Sequence, residues 1–204
     1  MDVLEAMETC RSIRRLKPDP VPDELLQQLV HYATRAPSAG NTQLWRFLIV
    51  TDPDDRRWFR DMLAEATKAR LGDAPPPEDD HSQHARNTRM YRRFILEFDK
   101  IPAFIITAVE NAFPNKERPV DQFMWSTVFA ATQNLLLAAR ALGLGAAMTT
   151  NHLENERAVR EHFGIPDNFG LGATIPIGFP EGRYGPVSRR PIAEVVFHDR
   201  WGRP

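Results

Sequence analysis

The sequence predicts an α+β fold, and three observations predict it. Short, compact apolar runs read as strands: FLIV at 47–50, FIITAV at 104–109, ATIPIGF at 173–179 and IAEVVF at 192–197. Longer stretches between them carry helical periodicity. The order of runs and helices lacks the regular strand–helix–strand spacing of a parallel sheet, which favours α+β over α/β. With 204 residues the chain can bury one sizeable core, and a single domain over 1–204 is expected.

Each element has its own reason. Val3, Leu4 and Met7 stand at helical spacing, so a short helix opens the chain and ends near a group of arginines. LKPDPVPDE is punctuation: three prolines, then acidic residues where a helix start favours them. Leu25, Leu26, Leu29 and Val30 make an amphipathic helix running to about Arg35. APSAGNTQLW, 36–45, is polar and loop-like and feeds into FLIV, with Trp45 expected in the core. A charge-rich helix runs from Pro53 to about Leu71, and GDAPPPEDDH, 72–81, reads as a mobile surface loop or lid over about 72–82. A helix around His84–Phe98 precedes FIITAV. FMWSTVFAATQNLLLAARALG is apolar on nearly every face, which suits the centre of the fold or a subunit interface, and Gly143 and Gly145 end it. A short helix around Asn155–Phe163 leads to the last two predicted strands.

Composition narrows the function. Lys plus Arg total 26 against 27 Asp plus Glu, a balance that argues against a nucleic-acid or membrane-binding footprint while leaving room for a local basic site. Cys10 is the only cysteine, which excludes an intramolecular disulfide and a thiolate zinc centre and reads as a small buried hydrophobe. No apolar run approaches a membrane span, and MDVLEAMETC is too acidic and too short for a signal peptide, so a cytoplasmic protein is expected.

Several motifs fail on context. GLGAAM at 143–148 and GLGATI at 170–175 lack a third glycine, and neither leads from a strand into a helix, so neither is a dinucleotide-binding turn. His81 and His84 have only Asp79 and Asp80 as nearby candidate ligands, and a solvated loop accounts for them better than a metal. His31, His152, His162 and His198 are scattered, and no serine sits in a nucleophile elbow. Two features remain. RSIRRLK places Arg11, Arg14, Arg15 and Lys17 within seven positions, and a second basic pair, Arg189 and Arg190, precedes IAEVVF. In the APSAGN loop, Ser38, Ala39 and Gly40 are small enough for a flat ligand to approach the backbone, while Asn41 and Gln43 offer donors and acceptors to a heterocycle edge.

Taken in order, five segments resemble the nitroreductase family of FMN-dependent oxidoreductases. They are CRSIRRL, APSAGNTQLWRFLIV, GLGAAMTTN, IPIGFPEG and RRPIAEVVF, spread from about Met7 to Trp201 with a poorly matched stretch at about 60–100. The resemblance implies a mainly antiparallel sheet flanked by helices, in an intertwined homodimer with noncovalent FMN at the subunit interface. It implies that Arg11, Ser12, Arg14 and Arg189 contact the FMN phosphate, and that Pro37, Ser38 and Asn41 lie along the isoalloxazine, often from the partner subunit. It further implies that the backbone of Met148, Thr149 and Thr150 faces flavin N5 and O4. Three positions depart from the family pattern: Cys10 replaces an Arg, Leu44 a Pro, and Val187 a Lys. The activity implied is hydride transfer from NADH or NADPH through flavin N5 to an electron-poor small-molecule acceptor, a nitroaromatic or quinone, by ping-pong turnover with no protein acid or base required. Alternatives are a relative acting on flavin itself or on a halogenated aromatic, or a flavin-storage protein without turnover. The apolar helix and the tail FHDRWGRP, with Phe197 and Trp201, are expected to pack against the partner.

Overall fold

The computed structural model describes residues 1–203. Four antiparallel strands form one sheet in the order β1-β2-β4-β3: β1 Trp45–Val50, β2 Ala103–Glu110, β3 Gly145–Ala146 and β4 Phe169–Gly178. β2 lies between β1 and β4 and has helices on both faces, which is why its sequence is a continuous apolar run and not an alternation. Ala103 and Ile105 point to one layer, packed with α2 (Asp23–Ala33) and α5 (Asp121–Ala141). Phe104 and Ile106 point to the other, among Phe59 and Leu63 of α3 (Pro53–Leu71) and Phe94 and Ile95 of α4 (Gln83–Leu96). Rings of Phe59, Phe98 and Phe104 meet at 4.8–5.5 Å between centroids, edge-on or tilted as aromatic quadrupoles prefer.

Caps set the helix starts. Asp52 accepts the amides of Asp54 and Asp55 at 2.8 and 3.1 Å and Pro53 occupies the first turn of α3, while Ser82 accepts Ala85 N–H at the start of α4. Asn155 does the same for α6 (Glu156–Phe163), and Gly164, at φ 63°, ends it. The first helix, α1 (Val3–Thr9), is capped by Asp2. Where β2 meets β4 the register shifts after Thr107, and Gly172 is the extra residue; a side chain there would meet Thr107 Oγ1 at 2.9 Å.

The α+β reading and the order of helices hold, and one predicted strand does not. IAEVVF forms a 3-10 turn over Ile192–Glu194, and its residues are exposed. From Ser188 to Arg203 every hydrogen bond is local to the tail, so these apolar residues find no sheet edge within their own chain. The 72–82 loop is held by arginines of α4: Arg92 donates to the carbonyls of Leu71 and Gly72 at 2.7 and 2.8 Å, and Arg89 to those of Pro77 and Asp80 at 2.6 and 2.7 Å. Trp45 is buried, whereas Cys10 is only half-buried, beside Arg140, with its thiol pKa pushed up by burial. No helix of the described residues is long and apolar enough to cross a membrane.

Candidate functional site: a basic edge and a distant loop

After α1 the chain runs extended along the β3 edge. Ile13 N–H donates to the Ala146 carbonyl at 2.9 Å and Lys17 N–H to that of Phe179 at 2.8 Å. This approach depends on Gly145: a Cβ there would stand 2.5 Å from Leu16 Cδ2 and 2.9 Å from Ile13 Cγ2. Arg15 pairs with Glu181 at 3.1 Å, both side chains well exposed. Arg11 and Arg14 have no ion-pair partner among the described residues, and Ser12 is exposed beside them.

A strap formed by residues 181–187 returns along the same segment. Glu181 N–H donates to Arg15 O at 3.1 Å and Val187 N–H to Glu8 O at 2.9 Å. Between them, the Tyr184 hydroxyl donates to the Leu144 carbonyl, and the Arg140 guanidinium lies 4.2 Å from the Tyr184 ring centroid while donating to Thr9 Oγ1 at 2.8 Å. Burial pushes the Tyr184 phenol up to about 12. The Val187 bond to Glu8 leaves Arg189 two residues beyond the strap's contact with α1; its guanidinium donates only to the neighbouring Ser188 carbonyl at 2.8 Å.

Met148, Thr149 and Thr150 follow β3 at the same edge. Thr149 is tied to β4 in three ways: its N–H and Oγ1 donate to Thr174 O at 3.1 and 2.7 Å, and its carbonyl accepts Thr174 N–H at 2.9 Å. The Thr149 amide therefore has no free direction. The amides of Met148 and Thr150 have no acceptor among the described residues. Asn151 and His152 then turn inward and are buried. His152 Nδ1 lies 3.2 Å from Thr174 Oγ1, while its Nε2 and Asn151 Nδ2 lack partners. Burial lowers the His152 pKa, with Arg160 acting the same way and Glu156 and the Leu171 carbonyl opposing. Asn151 and His152 escape a reading of the sequence because Thr174, which gives the histidine its setting, is 22 residues away; the run TTNH is the only local signal.

Pro37, Ser38, Asn41 and Gln43 lie elsewhere, in the loop that enters β1 at the opposite edge of the sheet. Three strand spacings, about 14 Å, separate β1 from β3. Ser38 Oγ accepts Gln43 N–H at 3.1 Å and Gln43 Nε2 donates to Asn41 Oδ1 at 3.3 Å, so the polar groups close on one another. Gly40, Asn41 and Gln43 have φ of 56°, 54° and 52°, a run of left-handed backbone that is costly outside glycine and clusters at ligand sites. Gly40 has a further cause that the sequence hid: a Cβ there would lie 2.5 Å from the Phe113 ring. An open cleft of about 220 Å³ between α3 and α4, bordered by Thr67, Lys68 and Arg92, contains none of the predicted site residues. Among the described residues no three His, Cys, Asp or Glu side chains are grouped to hold a metal ion.

Known proteins resemble this chain in sequence and in fold. An NADH dehydrogenase of Thermus thermophilus is 27% identical over 96% of this chain and 95% of its own. A protein of Desulfovibrio desulfuricans, provisionally named a nitroreductase and solved in complex with FMN, is 26% identical with a TM-score of 0.70 and covers 98% of both chains. Iodotyrosine deiodinase bound to FMN and 3-iodo-L-tyrosine shares the fold, with a TM-score of 0.77 at 23% identity over 98% of this chain and all of its own. The model of the nitroreductase family matches residues 8–179, from the end of α1 through the last strand of the sheet, and the chain belongs to that family.

Proposed function

We propose that the protein is an FMN-dependent oxidoreductase that takes a hydride from NADH or NADPH and delivers it to an electron-poor small molecule. One observation carries the reading. Two segments, one carrying Arg11 and Arg14 and the other Arg189, run by the β3 edge with no carboxylate paired to those arginines among the described residues, and the amides of Met148 and Thr150 there have no acceptor. Unpaired guanidiniums suit a phosphate monoester, because the planar fork donates paired, charge-assisted hydrogen bonds. Free amides beside them suit a heterocycle that gains negative charge on reduction. The donor set thus fits FMN, with Arg11, Ser12, Arg14 and Arg189 on the phosphate and the Met148 and Thr150 amides toward the ring.

When bound, FMN supplies the hydride chemistry at N5. The chain's own part is to hold and orient: the arginines fix the phosphate, and the Thr149–Thr174 pairing keeps the two neighbouring amides in place. No side-chain acid or base is needed. The groups on the Pro37–Gln43 loop stand at the far edge of the sheet, so a second copy of the chain is the economical source of them. An intertwined homodimer also accounts for the exposed rings of Phe123, Phe129 and Phe197 and for Trp201, which is 93% exposed. The outer edge of β1, paired only with β2, offers the tail of the partner a strand to join.

The test is direct. The purified protein is expected to be yellow and, on denaturation, to release FMN at about one per chain, and light scattering is expected to report a dimer. Oxidation of NADH and NADPH is then measured with a nitroaromatic, a quinone and a halogenated phenol, with parallel double-reciprocal lines expected. A colourless protein that fails to bind added FMN overturns the reading; bound FMN without turnover leaves a flavin-storage protein.

A further inference from the structure

His152 is an expensive residue in its position. It is completely buried, its Nε2 has no partner, and the next side chain back, Asn151, is also buried with Nδ2 unpaired. An apolar side chain would fill the space without leaving a polar atom unsatisfied. What His152 does is reach Thr174, the residue on β4 to which Thr149 is tied by three hydrogen bonds. Histidine and threonine thereby hold both ends of the turn that presents the Met148 and Thr150 amides. We propose that His152 is the positioning residue of this segment, holding it through Thr174 in the flavin-binding form only while the imidazole is neutral; this rests on the flavin reading above.

The local chemistry sets the direction. With the proton on Nδ1, the ring donates to Thr174 Oγ1 and buries only a bare Nε2 lone pair. A second proton on Nε2 creates a buried N–H and a buried charge, and burial already holds the imidazole below its ordinary pKa. The charged groups that act on the ring are Glu156 and Arg160 of α6. From α3, Arg70 is taken by Glu154 at 3.1 Å, and Tyr91 of α4 reaches the same carboxylate at 3.4 Å. β4 contributes no titratable side chain between Phe169 and Gly178. Glu156 and the Leu171 carbonyl favour the cation, and Glu156 already accepts Arg160 at 2.6 Å. Acidification therefore works against the buried ring and releases the turn.

The experiment measures FMN affinity of the apo-protein from about pH 7.5 to 5.5 for the unchanged chain, His152→Asn, Thr174→Val and Thr174→Ser. Asn keeps a donor toward Thr174 and cannot titrate. The FMN phosphate titrates over the same range in every variant and cancels in the comparison. The unchanged chain is expected to lose at least about fivefold more affinity than His152→Asn as the pH falls. Thr174→Val is expected to bind weakly at every pH, and Thr174→Ser to restore binding. Parallel profiles for the unchanged chain and His152→Asn overturn the proposal. Hydrogen exchange of the 147–155 peptide in the apo-protein decides it without flavin: faster exchange of the unchanged chain than of His152→Asn at low pH supports it, and equal exchange refutes it. Should no variant bind FMN, the flavin reading fails on its own and exchange still settles the role of His152.

Discussion

At the β3 edge, Arg11 and Arg14 stand without carboxylates while the backbone around them is tied to Ala146, Phe179 and Glu181. At the β1 edge, Ser38, Asn41 and Gln43 are bonded within their own loop, and the strand beside them has no outer neighbour. The first region has a rigid frame and unmet charge; the second has satisfied side chains and an unmet backbone. In the proposed dimer the two edges would meet as complementary halves of one site.

Truncation after Val187 attacks both regions at once and is expected to have the largest effect. It removes Arg189 and the apolar tail, so dimers should give way to monomers in light scattering and FMN affinity should fall on the order of a hundredfold or more. A truncated dimer with full affinity would break the comparison. Next come the cations. Arg11→Ala and Arg14→Ala should each weaken FMN about ten- to a hundredfold, the loss of roughly 1.5–3 kcal/mol from a charge-assisted bond, and leave riboflavin binding unchanged. Arg15→Ala removes only an exposed pair with Glu181 and should be near neutral in the same titration.

Two glycines sharpen the contrast between a packed edge and a loop. Gly145→Ala drives a methyl into Leu16 and Ile13 and should cost about 1–3 kcal/mol, lowering Tm by about 3–10 °C and FMN affinity with it. Gly40→Ala meets the Phe113 ring instead, so the double variant with Phe113→Ala should recover part of the loss by calorimetry, the remainder being the cost of φ 56°. The last effect lies at high pH. Tyr184 must keep its proton to donate to Leu144, and its folded pKa stands at about 12 against an ordinary value near 10. Between those values the unfolded chain has lost a proton that the folded chain retains, so stability is full below pH 10 and declines as pH rises toward 12. Tyr184→Phe should flatten that slope in alkaline denaturation.

The sequence exposes the frame better than the contacts. FIITAV is legible because β2 is covered on both faces, and the arginines because charge clusters survive in one dimension. β3 is two residues long and has no periodicity to find. IAEVVF reads as a buried strand, yet it forms an exposed 3-10 turn whose hydrogen bonds stay within the tail, because a run of apolar residues does not say which surface it meets. Thr149 stands out in the sequence only as part of a segment, and the pairing with Thr174 is what reveals that its amide is already taken. His152 is a lone histidine until a strand brings Thr174 beside it.

The grip on the 72–82 loop has a consequence for how this enzyme can change. Arg89 and Arg92 hold carbonyl oxygens at Leu71, Gly72, Pro77 and Asp80, and a carbonyl is the same whichever side chain follows it. The anchors are thus indifferent to the identity of the residues they secure. Substitutions at Ala74, Pro75, Pro76 and Glu78 can alter what the loop presents to solvent without loosening its attachment, so a library randomised at those four positions should keep the melting temperature of the parent while sampling new surfaces.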